Sequence, residues 1–216
     1  MNKKPANKTQ EQLKSIFEYY RNGRLNDAEK LARSITRETP SNANGWKALW
    51  AILQKTRKTK ESLTVIQKAA EISPSDAKVC YSLGYTFLEL GNLVKAEETF
   101  RKAIALKPDY AEAYHYFGVT IEKQGKLEEA EIIFTKAIGL NPNFYLSHYH
   151  LAGILHKQNR LNEAENFYRH VIKLKPGFAE AHSILGIVLQ EQWRLDEAEV
   201  SYKQAIALKP DFAEFH

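Results

Sequence analysis

Apolar residues recur along the chain at helical spacing, in short stripes separated by polar turns. Between residues 111 and 144, Tyr114, Phe117, Gly118 and Ile121 form one stripe, Gly125 breaks it, and Leu127, Ala130, Phe134 and Ala137 form a second. Stripes of this length predict two amphipathic helices meeting at a glycine. Glycine suits that junction because the chain leaves the first helix through a left-handed conformation that other residues adopt at a cost. Asparagine tolerates it as well, which fits Asn159 at the equivalent place. Acidic residues open the second helices, as at Glu128 and Glu129, Glu163, and Asp196 and Glu197, where they oppose the positive helix end.

The same phrase returns along the chain. Pro40, Pro74, Pro108, Pro142, Pro176 and Pro210 stand 34 residues apart, each expected to stop a second helix. A fixed period of this size means a stack of supersecondary units. The division expected is a basic segment 1–8, units 9–42, 43–76, 77–110, 111–144, 145–178 and 179–212, and the start of a seventh at 213–216. Asp109 to Glu112 and Asp211 to Glu214 read as capping boxes for the helices after two of the prolines. A stack needs a polar cap at each end, so a seventh unit of four residues implies a piece cut from a longer protein, with a bare flank favouring end-to-end pairing.

The pattern resembles the tetratricopeptide repeat family over Thr9 to Phe212. In the first helices Gly84, Gly118, Ala152 and Gly186 hold the small position; in the second, Ala96, Ala130, Ala164 and Ala198 are each followed by Phe100, Phe134, Tyr168 or Tyr202. Units one and two depart from it, with Ile16 and Trp50 at the small position, Ser62 for alanine and Arg57 for the turn glycine. Trp193 also stands at a turn-glycine position, at a cost of about 1 kcal/mol. The resemblance implies an all-α, right-handed superhelical solenoid of antiparallel helix pairs, each unit contacting mainly its neighbours.

Composition narrows the function. With 216 residues, 44% hydrophobic and 26% charged, the chain can bury a core, and no segment is apolar enough to span a membrane. One cysteine, Cys80, is expected as a small buried hydrophobe in a reducing, cytoplasmic setting. A net charge of +5 is too modest and too spread for a nucleic-acid partner, and Lys55, Arg57, Lys58 and Lys60 read as a solvated turn. His115, His148, His150 and His156 cluster in sequence, but no pair has metal-binding spacing on one helix, so neither a metal nor another cofactor is expected. No nucleophile has a base nearby, and no enzyme activity is expected within these residues.

In the resembled family the first helices line a concave groove that binds peptides. Carried over residue by residue, that implies a site of Lys47, Lys78, Tyr81, Tyr85, His115, Tyr116, Tyr149, His150 and His156, basic early, then aromatic, then acidic. Tyrosine offers rigid contact area and a hydroxyl at low entropic cost. Two family mechanisms are absent. No window supplies the lysine–asparagine–arginine clamp of chaperone-tail binders. The position of the peptide-gripping asparagine ladder reads Lys14, Ala48, Ser82, Tyr116, His150 and Ile184. The expectation is a protein-interaction scaffold holding a peptide or protein segment. The alternative is the recruiting arm of a glycosyltransferase, sulfotransferase or methyltransferase whose catalytic domain lies beyond His216.

Overall fold

The computed structural model describes the backbone of residues 5–209 and the side chains of residues 8–209. All regular structure in this span is helical. The chain divides into two compact units, Met1–Pro108 and Asp109–His216.

The first unit runs α1 (Pro5–Arg21), α2 (Leu25–Glu38), α3 (Ala43–Lys55), α4 (Thr59–Ile72), α5 (Ala77–Glu89) and α6 (Leu93–Leu106). Each first helix packs against the second helix that follows it, and each second helix against the next first helix. The first helix begins at Pro5, so residues 5–8, grouped in the sequence with the N-terminal segment, belong to α1. Proline fits there because a first-turn N–H has no partner inside the helix. The unit's core is aliphatic: Ile16, Ala32, Ile35, Leu49, Ile52 and Leu53 form one cluster, and Ile66, Ala69 and Val79 another, packed by Trp46 and Trp50.

The second unit repeats the arrangement with α7 (Ala111–Lys123), α8 (Leu127–Leu140), α9 (Tyr145–Lys157), α10 (Leu161–Leu174), α11 (Ala179–Glu191) and α12 (Leu195–Leu208). Its core is more aromatic, with Phe134 and Tyr168 almost fully buried.

Every turn within a helix pair is left-handed. Gly23, Gly91 and Gly125 adopt positive φ, and so do Arg57, Asn159 and Trp193, at 57°, 59° and 63°. The turn geometry is thus kept at three positions where a side chain makes it costly.

Small faces large across each pair in the later repeats. A Cβ placed on Gly84 would lie 2.9 Å from the Phe100 ring, one on Gly118 2.8 Å from Phe134, and one on Gly186 2.6 Å from Tyr202. In the first pair the sizes are exchanged: Ile16 and Ala32 hold the equivalent positions, in one core cluster. In the second, Trp50 stands over Ile66 and its indole N–H donates to Thr86 Oγ1 at 2.9 Å.

The fourth residue of several first helices makes a recurrent bond to the carbonyl of the proline six residues earlier. Trp46 Nε1 donates to Pro40 and His148 Nε2 to Pro142, both at 2.8 Å, and His182 Nε2 donates to Pro176 at 3.0 Å. Cys80 Sγ lies 3.8 Å from the Pro74 carbonyl, and burial raises its thiol pKa. These side chains fasten the connection between repeats.

Second helices are linked by charge. Glu29 takes Arg33 and Lys58 at 2.7 and 3.0 Å, and Arg33 reaches on to Glu61 at 2.6 Å. In the other unit Glu165 takes Arg169 and Arg194 at 2.9 and 2.7 Å, and Arg169 reaches Glu197 at 3.1 Å.

The capping box expected from Asp109 to Glu112 does not form. The cap of α7 is Tyr110, with no side-chain bond, because the helix begins one residue later than that box requires. Side-chain caps stand instead at Asn42, Asp76 and Asn92. The box at Asp211 to Glu214, and the seventh-unit start at 213–216, lie outside the described residues.

Candidate functional site

In the first unit the site residues lie on α3 and α5, and two of them are engaged with neighbouring carboxylates. Lys47 Nζ pairs with Asp76 Oδ2 at 2.9 Å, and Asp76 also accepts from the backbone N–H of Lys78 at 2.8 Å. Burial alone would raise the Asp76 carboxyl, but the Lys47 ammonium and the backbone N–H groups outweigh it and hold it below its ordinary pKa. Lys47 therefore ties α3 to the start of α5. Tyr81 is half-buried with its ring 6.2 Å from Phe100, and Tyr85 donates from its hydroxyl to Glu89 Oε1 at 3.2 Å. Lys78 is exposed, with no ion pair among the described residues.

The α1–α3 edge of this unit carries a further feature. An apolar hollow of about 380 Å³ is lined by Leu13, Ile16, Phe17 and Tyr20 on one side and Ala48, Ala51 and Ile52 on the other. Ala48 stands at the position of the asparagine ladder, and its place with Ala51 opposite Phe17 shows the space the two alanines leave.

In the second unit α7 and α9 bring His115, Tyr116, Tyr149 and His150 together, with the two histidine rings against Phe134. His150 stacks on that ring at 5.2 Å and 9°, and donates from Nδ1 to Glu122 Oε2 at 2.8 Å. Glu122 Oε1 accepts from Lys157 Nζ at 3.0 Å. Burial pushes the Glu122 carboxyl up, but His150 and Lys157 more than reverse this and hold it below its ordinary pKa. Tyr116 meets the edge of His115 at 4.8 Å. Tyr149 sits among Tyr168, Phe178 and His150 at 5.9, 5.0 and 5.9 Å, its hydroxyl pKa raised mainly by burial. That hydroxyl has no hydrogen-bond partner among the described residues. Farther along, His156 donates from Nε2 to Glu191 Oε2 at 2.8 Å, joining α9 to α11.

His115 is a correction. Read from the sequence as a groove contact, it is only 2% exposed, with Nδ1 3.0 Å from Oγ of the fully buried Ser147 and its ring 4.6 Å from Phe144. Burial first, then the His150 charge, push its pKa down to about 3, so the ring is neutral and packs the interior. It offers nothing to a ligand.

The ties between first helices join residues 28, 29 or 35 apart, close to one repeat period. That spacing is visible in the sequence once the period is known, and marks Glu122, Asp76 and Glu191 as companions of His150 and Lys157, of Lys47, and of His156. Among the described residues no group of three His, Cys, Asp or Glu side chains is placed to hold a metal ion.

Four family models described as tetratricopeptide repeat match the chain, over residues 77–110, 99–132, 122–188 and 179–212. The chain is a tetratricopeptide repeat protein. Solved structures show the same fold. PilW, a type IV pilus biogenesis factor, is 19% identical with a TM-score of 0.85, covering 93% of each chain. PilF of Pseudomonas aeruginosa is 20% identical with a TM-score of 0.83, covering 93% of this chain and 91% of that one. YrrB, described as a tetratricopeptide repeat protein with an unusual peptide-binding site, is 20% identical with a TM-score of 0.64, covering 83% and 93%. No curated protein sequence matches. This tetratricopeptide repeat protein has no described helix long and apolar enough to cross a membrane.

Proposed function

We propose that this tetratricopeptide repeat protein is an interaction scaffold that holds a peptide or protein segment against its first helices. The observation that carries the proposal is Tyr149. Its ring is fixed by Tyr168, Phe178 and His150, while its hydroxyl is left without a partner. A rigid aromatic with an unused donor costs little entropy to engage. Tyr81, Tyr85 and Tyr116 offer similar half-buried rings on α5 and α7, and Lys78 an exposed ammonium for an acidic portion. Lys47, His150 and His156 support the face from within, through Asp76, Glu122 and Glu191. The peptide-binding site named for YrrB makes the same use of this fold plausible here.

The test is selection of peptides from a displayed random library on the whole chain. The variant Tyr81→Ala, Tyr116→Ala, Tyr149→Ala is expected to lose capture of the selected peptides while its far-ultraviolet circular dichroism stays helical. A folded triple variant that binds them as the parent does refutes the proposal.

A further inference from the structure

The hollow between α1 and α3 exists because α3 carries small residues on the face it turns to α1. Ala48 and Ala51 stand where α1 has Lys14 and Phe17, and where α5 has Ser82 and Tyr85. Its floor is sealed by Ile16 and Ile52, at 4% and 0% exposure. Its wall is not: Phe17 is 63% exposed and Tyr20 36%. A wide apolar hollow with an exposed phenylalanine at its edge favours a bulky apolar group from outside the fold.

Three exposed cations stand on the two helices that line it. Lys14 and Arg21 on α1 and Lys55 on α3 are exposed, and none has an ion-pair partner among the described residues. Helical spacing sets Lys14 and Arg21 on either side of Phe17, a turn away in each direction, with Lys55 on the facing helix. Glu11 and Glu18, the acidic residues of α1, stand within a turn of Lys14 and Arg21 but farther round the helix from Leu13 and Tyr20. Elsewhere on these first helices Lys47 is already neutralised by Asp76. Three free cations around an apolar hollow complement a ligand that is acidic on both sides of an apolar anchor.

We propose that the α1–α3 hollow is the anchor site for an acidic segment of a partner protein, which seats one phenylalanine or leucine between Phe17 and Ala51 and sets its carboxylates against Lys14, Arg21 and Lys55. This rests on the scaffold reading above and adds the chemical class of the partner.

The experiment uses the whole chain and three fluorescein-labelled synthetic peptides read by fluorescence anisotropy. One is built of Glu, Asp and Ser around a central Phe; the second has Ala at the centre; the third has Lys in place of every Glu and Asp. The acidic Phe peptide is expected to bind saturably and to weaken as salt is raised, and the lysine peptide not to bind. Loss of the anchor in the Ala peptide, or filling of the hollow by Ala51→Trp, should each weaken binding about tenfold or more. Lys14→Glu with Lys55→Glu should do the same while leaving the apolar hollow intact. Should Ala51→Trp not fold, Phe17→Ser at the exposed edge replaces it, with the same expected loss.

Absent binding of the acidic Phe peptide, equal binding of the Ala or Lys peptides, or indifference to these substitutions would each overturn the assignment. If the acidic peptide fails while library-selected peptides still depend on Tyr81, Tyr116 and Tyr149, the hollow assignment falls and the scaffold reading stands. If both dependences fail, both readings fall.

Discussion

Replacing Gly118 with alanine should destabilise the second unit, although alanine is the better helix former. The new Cβ would lie 2.8 Å from Cε1, 2.9 Å from Cζ and 3.0 Å from Cδ1 of Phe134. Phe134 is fully buried and stacked on His150, so its ring has little room to retreat. Overpacking of this kind costs about 1–3 kcal/mol. Removing a mid-helix glycine returns about 1 kcal/mol. The net expectation is a loss of roughly 1 kcal/mol, seen as a fall in melting temperature of about 4–8 °C for a unit of this size. Because Phe134 supports His150, and His150 holds Glu122, the same change should loosen the α7–α9 face as well as the core.

The assay is a double-mutant cycle by urea denaturation, followed by circular dichroism. In a Phe134→Leu background the ring edge is gone, so Gly118→Ala should become neutral or stabilising. The coupling between the two sites should then exceed about 1 kcal/mol, within the range found for residues in direct contact. Equal effects of Gly118→Ala in both backgrounds, within about 0.5 kcal/mol, would refute the small-facing-large account of the helix pairs.

Three further outcomes follow from the geometry. Trp193 is 86% exposed at a φ of 63°, so Trp193→Gly should raise stability by about 1 kcal/mol in thermal melts; no change would remove the claim of strain. His115 has a folded pKa of about 3 against an ordinary 6.5, so the unfolded chain binds the extra proton between those values. Stability should therefore be undiminished above pH 6.5 and fall as the pH drops toward 3, by at most about 4–5 kcal/mol from this group. Denaturation titrations across that window check it, and the paired change His115→Leu, Ser147→Ala should flatten the slope. Glu165→Gln should lower the urea midpoint by releasing Arg169 and Arg194, with a deficit that shrinks as salt is raised; a salt-independent deficit would point to packing instead.

The period was legible because six prolines and a recurring turn position repeat it. The turn position held even at Asn159 and Trp193, since the helix-to-helix exit needs a left-handed residue whatever its side chain. The departures at Ile16 and Trp50 were visible too, but not their remedy. The reversal of sizes with Ala32 and Ile66 appears only when the paired helices are set side by side. The candidate site was less legible. His115 occupies a position that faces the groove in the resembled family, yet its ring turns inward because Ser147, one repeat on, supplies a buried partner beside Phe144. Lys47 reads as a free cation until Asp76, 29 residues later, is found capping α5. The hollow beside Phe17 is not legible in the sequence, because the absence of side-chain volume at Ala48 and Ala51 leaves no motif.

The most direct test of the scaffold account is amide hydrogen exchange of the whole chain with and without a library-selected peptide. The account predicts added protection in the first helices, centred on Tyr81 and Tyr85 in α5, Tyr116 in α7 and Tyr149 in α9, and little change in α6, α8, α10 and α12. Protection confined to those second helices, with the tyrosine-bearing segments unchanged, would contradict it.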